Sequence, residues 1–167
     1  MTVLVARRSA GRIELVADSR SVEDSTGAYI DGVQKIWAYE RGAFGYSGSV
    51  AAFAAAADAY YEMLENLEPE KWGQRMRKIM LDLELKEAES FFDMLVWRDG
   101  RLWHLQHDGC VLPIDARPIY AIGSGADIAI GYLHALPSAP LEDAVKATYA
   151  YYAGCGGAPQ HWRKQGC

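Results

Sequence analysis

Apolar and polar positions alternate at both ends of the chain, and helical spacing dominates two blocks between them. Thr2 to Arg8 alternates as a strand. Ser9-Ala10-Gly11 reads as a tight turn, and Arg12 to Asp18 as the returning strand of a hairpin. That register is expected to set Thr2 beside Asp18. Ser19 to Gly32 is polar and irregular, with Tyr29-Ile30 as its expected apolar anchor. Gln34 to Tyr39 and Ala43 to Tyr46 form two further strands around Glu40-Arg41-Gly42.

Gly45-Tyr46-Ser47-Gly48-Ser49 leads into a helix from Val50 to about Asn66, whose alanine run from Ala51 has strong helix propensity. Leu67-Glu68-Pro69-Glu70 interrupts it. A second, amphipathic helix is expected from about Glu70 to Ser90, with Trp72, Met76, Ile79, Met80, Leu83 and Glu87 at helical spacing. Phe92 to Arg98 and Leu102 to His107 flank Asp99-Gly100, a strong hairpin signal. A strand ends at Ile119-Tyr120-Ala121-Ile122, and Gly123-Ser124-Gly125 opens a third helix to about Leu136. Pro137 and Pro140 separate it from a fourth, Leu141 to about Ala153. Gly154-Cys155-Gly156-Gly157 ends that helix, and Ala158 to Lys164 adds a short last strand. Strands, two helices, strands and two helices in segregated blocks predict an α+β fold. A four-layer α/β/β/α sandwich of stacked sheets flanked by helix pairs fits this order.

Composition narrows the function classes. At 167 residues the chain suits a single domain, residues 1–167, with a real core. Its net charge of −5 argues against a nucleic-acid-binding face. The densest basic run, Arg75, Arg77 and Lys78, reads as a solvated helix face. Cys110, Cys155 and Cys167 are odd in number and widely spaced, so neither a disulfide framework nor a zinc site is expected. His104 and His107 lie three apart in a predicted strand and would face opposite sides, so no metal and no cofactor are expected. With neither a signal peptide nor an apolar run of membrane length, a cytoplasmic protein without membrane contact is expected.

The candidate chemistry lies in the opening dipeptide. A methionine before a small residue is normally removed, which would leave Thr2 at the amino terminus. A terminal threonine carries a hydroxyl nucleophile and an α-amine that titrates near ~8, and the hydroxyl needs such a base. Thr2 equally reads as an ordinary strand start. Asp18 is a charge partner for an ammonium or the first residue of a loop. Lys35 is a partner for it or an exposed lysine. The Gly48-Ser49 turn presents unpaired N–H groups that can hold an oxyanion, or is a plain N-cap through Ser49.

These motifs, in this order, resemble the β-type subunits of the proteasome superfamily, including the bacterial HslV peptidase. Thr2-Val3-Leu4-Val5 resembles the amino-terminal threonine strand and Val16-Ala17-Asp18-Ser19-Arg20 the Ala-Asp-Ser-Arg motif. Thr26 to Ile30 resembles the next segment. Val33-Gln34-Lys35-Ile36 holds the lysine, Gly45 to Ser49 the glycine turn, and Ala121 to Gly125 the Ile-Gly-Ser-Gly helix start. The resemblance extends to about residue 155 and implies an N-terminal-nucleophile hydrolase, a threonine peptidase. Thr2 would attack the amide, Lys35 would lower its hydroxyl pKa, and Asp18 would orient Lys35. Gly48 would donate to the oxyanion, by analogy worth ~3 kcal/mol, and Ser124 would support the Thr2 amine. Among substrate contacts, Val22 stands where many members have threonine, Arg20 belongs to the Ala-Asp-Ser-Arg motif, and Tyr46 and Val50 resemble first-pocket residues. Tyr46 would make that pocket shallow.

The resemblance also implies partners: further copies in a ring with an inner chamber, a polypeptide substrate and an ATP-dependent unfoldase. Departures stand beside it. Before Gly156-Gly157 the family's serine and aspartate are replaced by Cys155 and Tyr152, and the carboxy terminus is short. A ring-forming scaffold that keeps Met1, or a small-molecule amidase of the same nucleophile class, are the alternatives. Retained Met1 leaves Thr2 without its amine.

Overall fold

A computed structural model describes residues 1–23, 26–83, 92–114 and 116–165. The first hairpin is β1, Leu4–Ser9, and β2, Arg12–Ala17. It sits at the centre of a four-stranded antiparallel sheet. There β10, Ile119–Ile122, flanks β1, and β11, Gln160–Gln165, flanks β2. The second sheet orders β5, Ile36–Tyr39; β6, Gly42–Gly48; β7, Phe92–Arg98; β8, Arg101–Gln106; and β9, Val111–Pro113. All of its pairings are antiparallel.

Strand alternation decides what lies between the layers. Leu4, Ala6, Ile13 and Leu15 meet Ala43, Leu95 and Trp97 across the two sheets. Val3, Val5 and Val16 point the other way, under α3, Ala126–Ala135, and α4, Leu141–Thr148. On the opposite surface Phe44, Tyr46, Met94 and Val96 pack against α1, Val50–Asn66, and α2, Pro69–Asp82. Three apolar layers therefore separate four structural layers, the expected α/β/β/α sandwich.

Local chemistry sets the helix ends. Ser49 caps α1, its hydroxyl accepting from Ala52 N–H. Pro69 opens α2 at the first turn, where its missing N–H costs nothing. The Leu67 carbonyl between the two helices accepts from the Trp72 indole at 3.0 Å and from the Arg98 guanidinium.

Several expectations need correction. Asp18 stands opposite Val3, not Thr2: its N–H donates to the Val3 carbonyl at 3.1 Å and its Oδ1 accepts from Val3 N–H at 3.0 Å. The register pairs Leu4 with Ala17, so Thr2 falls one residue past Asp18. Tyr29 and Ile30 anchor no core. They form β4 against β3, Ser21–Val22, and are 59% and 70% exposed. Helix α4 stops at Thr148, after which Tyr152 and Cys155 N–H groups close successive turns. Helix α2 is described to Asp82, and Glu87 and Ser90 lie outside the described residues. Leu83, just beyond it, is exposed. The strand β9 was not expected, because its three residues are too few to show a period.

Candidate active site

The open end of the inter-sheet layer holds Thr2, which precedes β1 and is 3% exposed. Lys35, the residue before β5, crosses to it from the other sheet. Its Nζ donates to Thr2 Oγ1 at 3.0 Å, to Asp18 Oδ1 at 2.8 Å and to the Arg20 carbonyl at 2.5 Å. Three acceptors match the three ammonium protons. Lys35 is thus a buried, fully engaged cation and not an exposed lysine. Burial pulls its ammonium below the ordinary lysine range, and the Asp18 charge opposes that pull.

Asp18 is itself buried, with N–H donors from Val3 on Oδ1 and from Arg20 and Gly156 on Oδ2, at 3.0, 3.3 and 3.1 Å. Backbone from three segments fixes the carboxylate, and the carboxylate fixes Lys35. This meets the condition under which a buried ion pair is tolerated, namely that its remaining lone pairs are also satisfied.

Ser124 approaches from the turn between β10 and α3. Thr2 N–H donates to its Oγ at 3.3 Å, and that hydroxyl lies 3.3 Å from the Thr2 carbonyl. The same carbonyl accepts from Gly125 N–H at 3.2 Å. Gly123 has φ 93°, and a methyl there would overlap the Thr2 carbonyl oxygen. Cys155 lies behind Ser124 with Sγ 4.0 Å from its Oγ. Burial pushes that thiol up, so it is held neutral. The Thr2 hydroxyl donates to the Met1 carbonyl at 2.8 Å, and the Met1 side chain rests on Gly154.

A cleft of about 940 Å³ opens in front of Thr2. Its walls bring together Thr2, Arg20, Val22, Lys35, Gly48, Val50 and Ser124, seven of the nine residues singled out in the sequence. Asp18 lies behind Lys35. Tyr46 is displaced from the expected pocket: it stacks on Phe53 at 4.1 Å in the layer beneath α1. Along β6 the side chains of Phe44 and Tyr46 face the helices, and Ser47 faces the cleft instead. Arg20 clamps loops: its guanidinium binds both Asp31 oxygens, at 2.8 and 3.1 Å, and the Ala153 carbonyl at 3.0 Å. Sequence reading missed the cleft residues Ser47 and Asp93. They face each other across β6 and β7, a pairing of distant segments that no local motif signals. Among the described residues, no group of three or more His, Cys, Asp or Glu side chains is arranged to hold a metal ion.

No family model and no curated protein matches the chain by sequence. Solved structures match over nearly its full length. Eukaryotic HslV from Trypanosoma brucei superposes with a TM-score of 0.75 at 14% identity, covering 98% of this chain and 99% of that one. BPH from Thiobacillus denitrificans gives 0.78 at 16%, covering 99% and 98%. Anbu, the ancestral beta-subunit from Yersinia bercovieri, gives 0.77 at 13%, covering 98% and 81%. At such identities it is the fold that is shared, and this chain has the proteasome-like N-terminal-nucleophile fold of HslV, BPH and Anbu.

Proposed function

We propose that residues 1–167 form one threonine peptidase unit whose nucleophile is Thr2 after removal of Met1. The observation that carries this is the buried Lys35 ammonium, 3.0 Å from Thr2 Oγ1 and 2.8 Å from Asp18 Oδ1. A cation so placed favours the alkoxide form of the hydroxyl.

The steps follow from these atoms. The Thr2 hydroxyl adds to the substrate amide carbon, and its proton passes to the freed Thr2 amine. The tetrahedral oxygen takes its negative charge towards the Gly48 N–H, at a residue whose φ of 127° turns the backbone at the cleft wall. Collapse breaks the C–N bond, the amine returns its proton to the leaving nitrogen, and an ester remains on Thr2 Oγ1. Water, deprotonated by the same amine, cleaves the ester and restores Thr2. Ser124, on the Thr2 nitrogen at 3.3 Å, holds that amine in place. Val22 and Val50 offer apolar contact to the substrate, and Arg20 supports the wall they stand on.

We extend the reading to assembly. A ring of copies enclosing the clefts, fed by an ATP-dependent unfoldase in the cytoplasm, is the arrangement that suits a peptidase with so open a site. Mass photometry giving only the 18.5 kDa monomer would remove that part. The scaffold alternative draws on one observation: Met1 attached occupies the Thr2 hydroxyl and makes its nitrogen an amide. Fluorogenic peptides distinguish the two. The mature chain is expected to hydrolyse them and Thr2→Ala to lose all turnover. Equal turnover in that variant would exclude Thr2 as nucleophile, and hydrolysis of small amides alone would favour an amidase.

A further inference from the structure

Among the described residues the cleft carries three charged side chains, and their partners differ. Lys35 is matched by Asp18 at 2.8 Å, and Arg20 by Asp31 at 2.8 Å. Asp93 has a weaker match, His104, whose Nε2 is 3.5 Å from Asp93 Oδ2. That distance is outside ordinary hydrogen-bond range, and His104 Nε2 is a buried nitrogen without a hydrogen-bond partner. The other ring nitrogen, Nδ1, meets the Tyr120 hydroxyl at 3.0 Å. The imidazole is therefore fixed from behind by Tyr120, and among the described residues Asp93 is left short of a full counter-charge.

Asp93 is set apart from its strand neighbours. Phe92 and Met94 are fully buried under the helices, whereas Asp93 faces the inter-sheet side and keeps 19% side-chain exposure, at the cleft. Across the β6–β7 pair it faces Ser47. Ser47 Oγ and the Thr2 carbonyl both occupy the space that a side chain on Gly123 would take. The carboxylate thus stands on the wall that runs from Thr2 past Gly123, while Val22, Val50 and Ala51 give the cleft apolar surface. A partly desolvated carboxylate without a full counter-charge attracts a cation more strongly than an exposed one does.

We propose that Asp93 is a specificity-determining residue that selects a basic side chain, lysine or arginine, at one substrate position. The inference rests on the peptidase reading above. The carboxylate takes the incoming ammonium or guanidinium, and Ser47 supplies a hydroxyl acceptor beside it.

The test uses the mature full chain with internally quenched peptides in which Arg, Lys, Leu and Glu are scanned through the positions flanking the cut. The expected profile shows a basic preference at one position. In Asp93→Asn the ratio of kcat/KM for basic over neutral peptides at that position should fall about tenfold or more, and in Asp93→Lys it should invert towards Glu. If Asp93→Lys does not fold, the near-isosteric Asp93→Asn read against the wild-type profile decides the matter. Cleavage without any basic preference, or a preference that Asp93→Asn leaves in place, overturns the role of Asp93 and leaves the peptidase reading standing. Absence of Thr2-dependent cleavage of every peptide overturns both.

Discussion

Lys35 is the residue on which the site's electrostatics turn. It is 1% exposed and touches the candidate nucleophile, the carboxylate and a backbone carbonyl. Because burial lowers its pKa from 10.5, the unfolded chain binds a proton that the folded chain gives up earlier as pH rises. Its contribution to stability therefore grows with pH towards about 10.5 and is lost as pH falls through the lowered folded value. Lys35→Met removes this dependence. The difference in unfolding free energy, wild type minus variant, should rise between neutral pH and about 10 in denaturant titrations, and a flat difference would contradict the assigned shift. The same variant should lose on the order of 10²-fold or more in kcat, the scale of removing one charge-stabilising group.

At the scale of elements, the site is a meeting of ends. β1 brings Thr2, the end of β2 brings Asp18, and the start of β5 brings Lys35. The turn from β10 into α3 brings Ser124. That turn is tight for a physical reason: Gly123 takes a positive φ and lies against the Thr2 carbonyl, so no side chain fits. Gly123→Ala should keep its circular dichroism yet push Thr2 off position. A displacement of about 1 Å costs roughly 10²-fold in rate, so turnover equal to wild type would contradict the packing argument. These junctions also explain what the sequence made legible. Thr2, Asp18, Lys35, Gly48 and Ser124 all sit at or beside the end of a strand, and the short motifs that resemble the proteasome superfamily are what brought them out. Tyr46 was misread because the face of β6 that meets the cleft depends on which layer covers it, and α1 covers the Tyr46 side. Asp93 was missed because only pairing with Ser47, 46 residues away (93 minus 47), carries it to the cleft. The Thr2–Asp18 register failed by one residue because the Gly11 turn pairs Ser9 with Arg12 and fixes every later partner.

For the whole molecule, the block order of strands and helices was enough to predict two sheets between helix pairs, since each face needs an apolar cover. Solved structures at 13–17% identity share that architecture, yet architecture alone does not make a nucleophile. What would make one here is the loss of Met1, which turns the Thr2 amide into an amine beside its own hydroxyl. The deciding measurement is the intact mass of the purified protein, read beside its turnover of a fluorogenic peptide. Removal of Met1 as proposed gives a chain lighter by one methionine whose hydrolysis of the peptide is lost in Thr2→Ala. A chain that keeps Met1, or one that loses it and hydrolyses the peptide equally well as Thr2→Ala, would contradict the proposal.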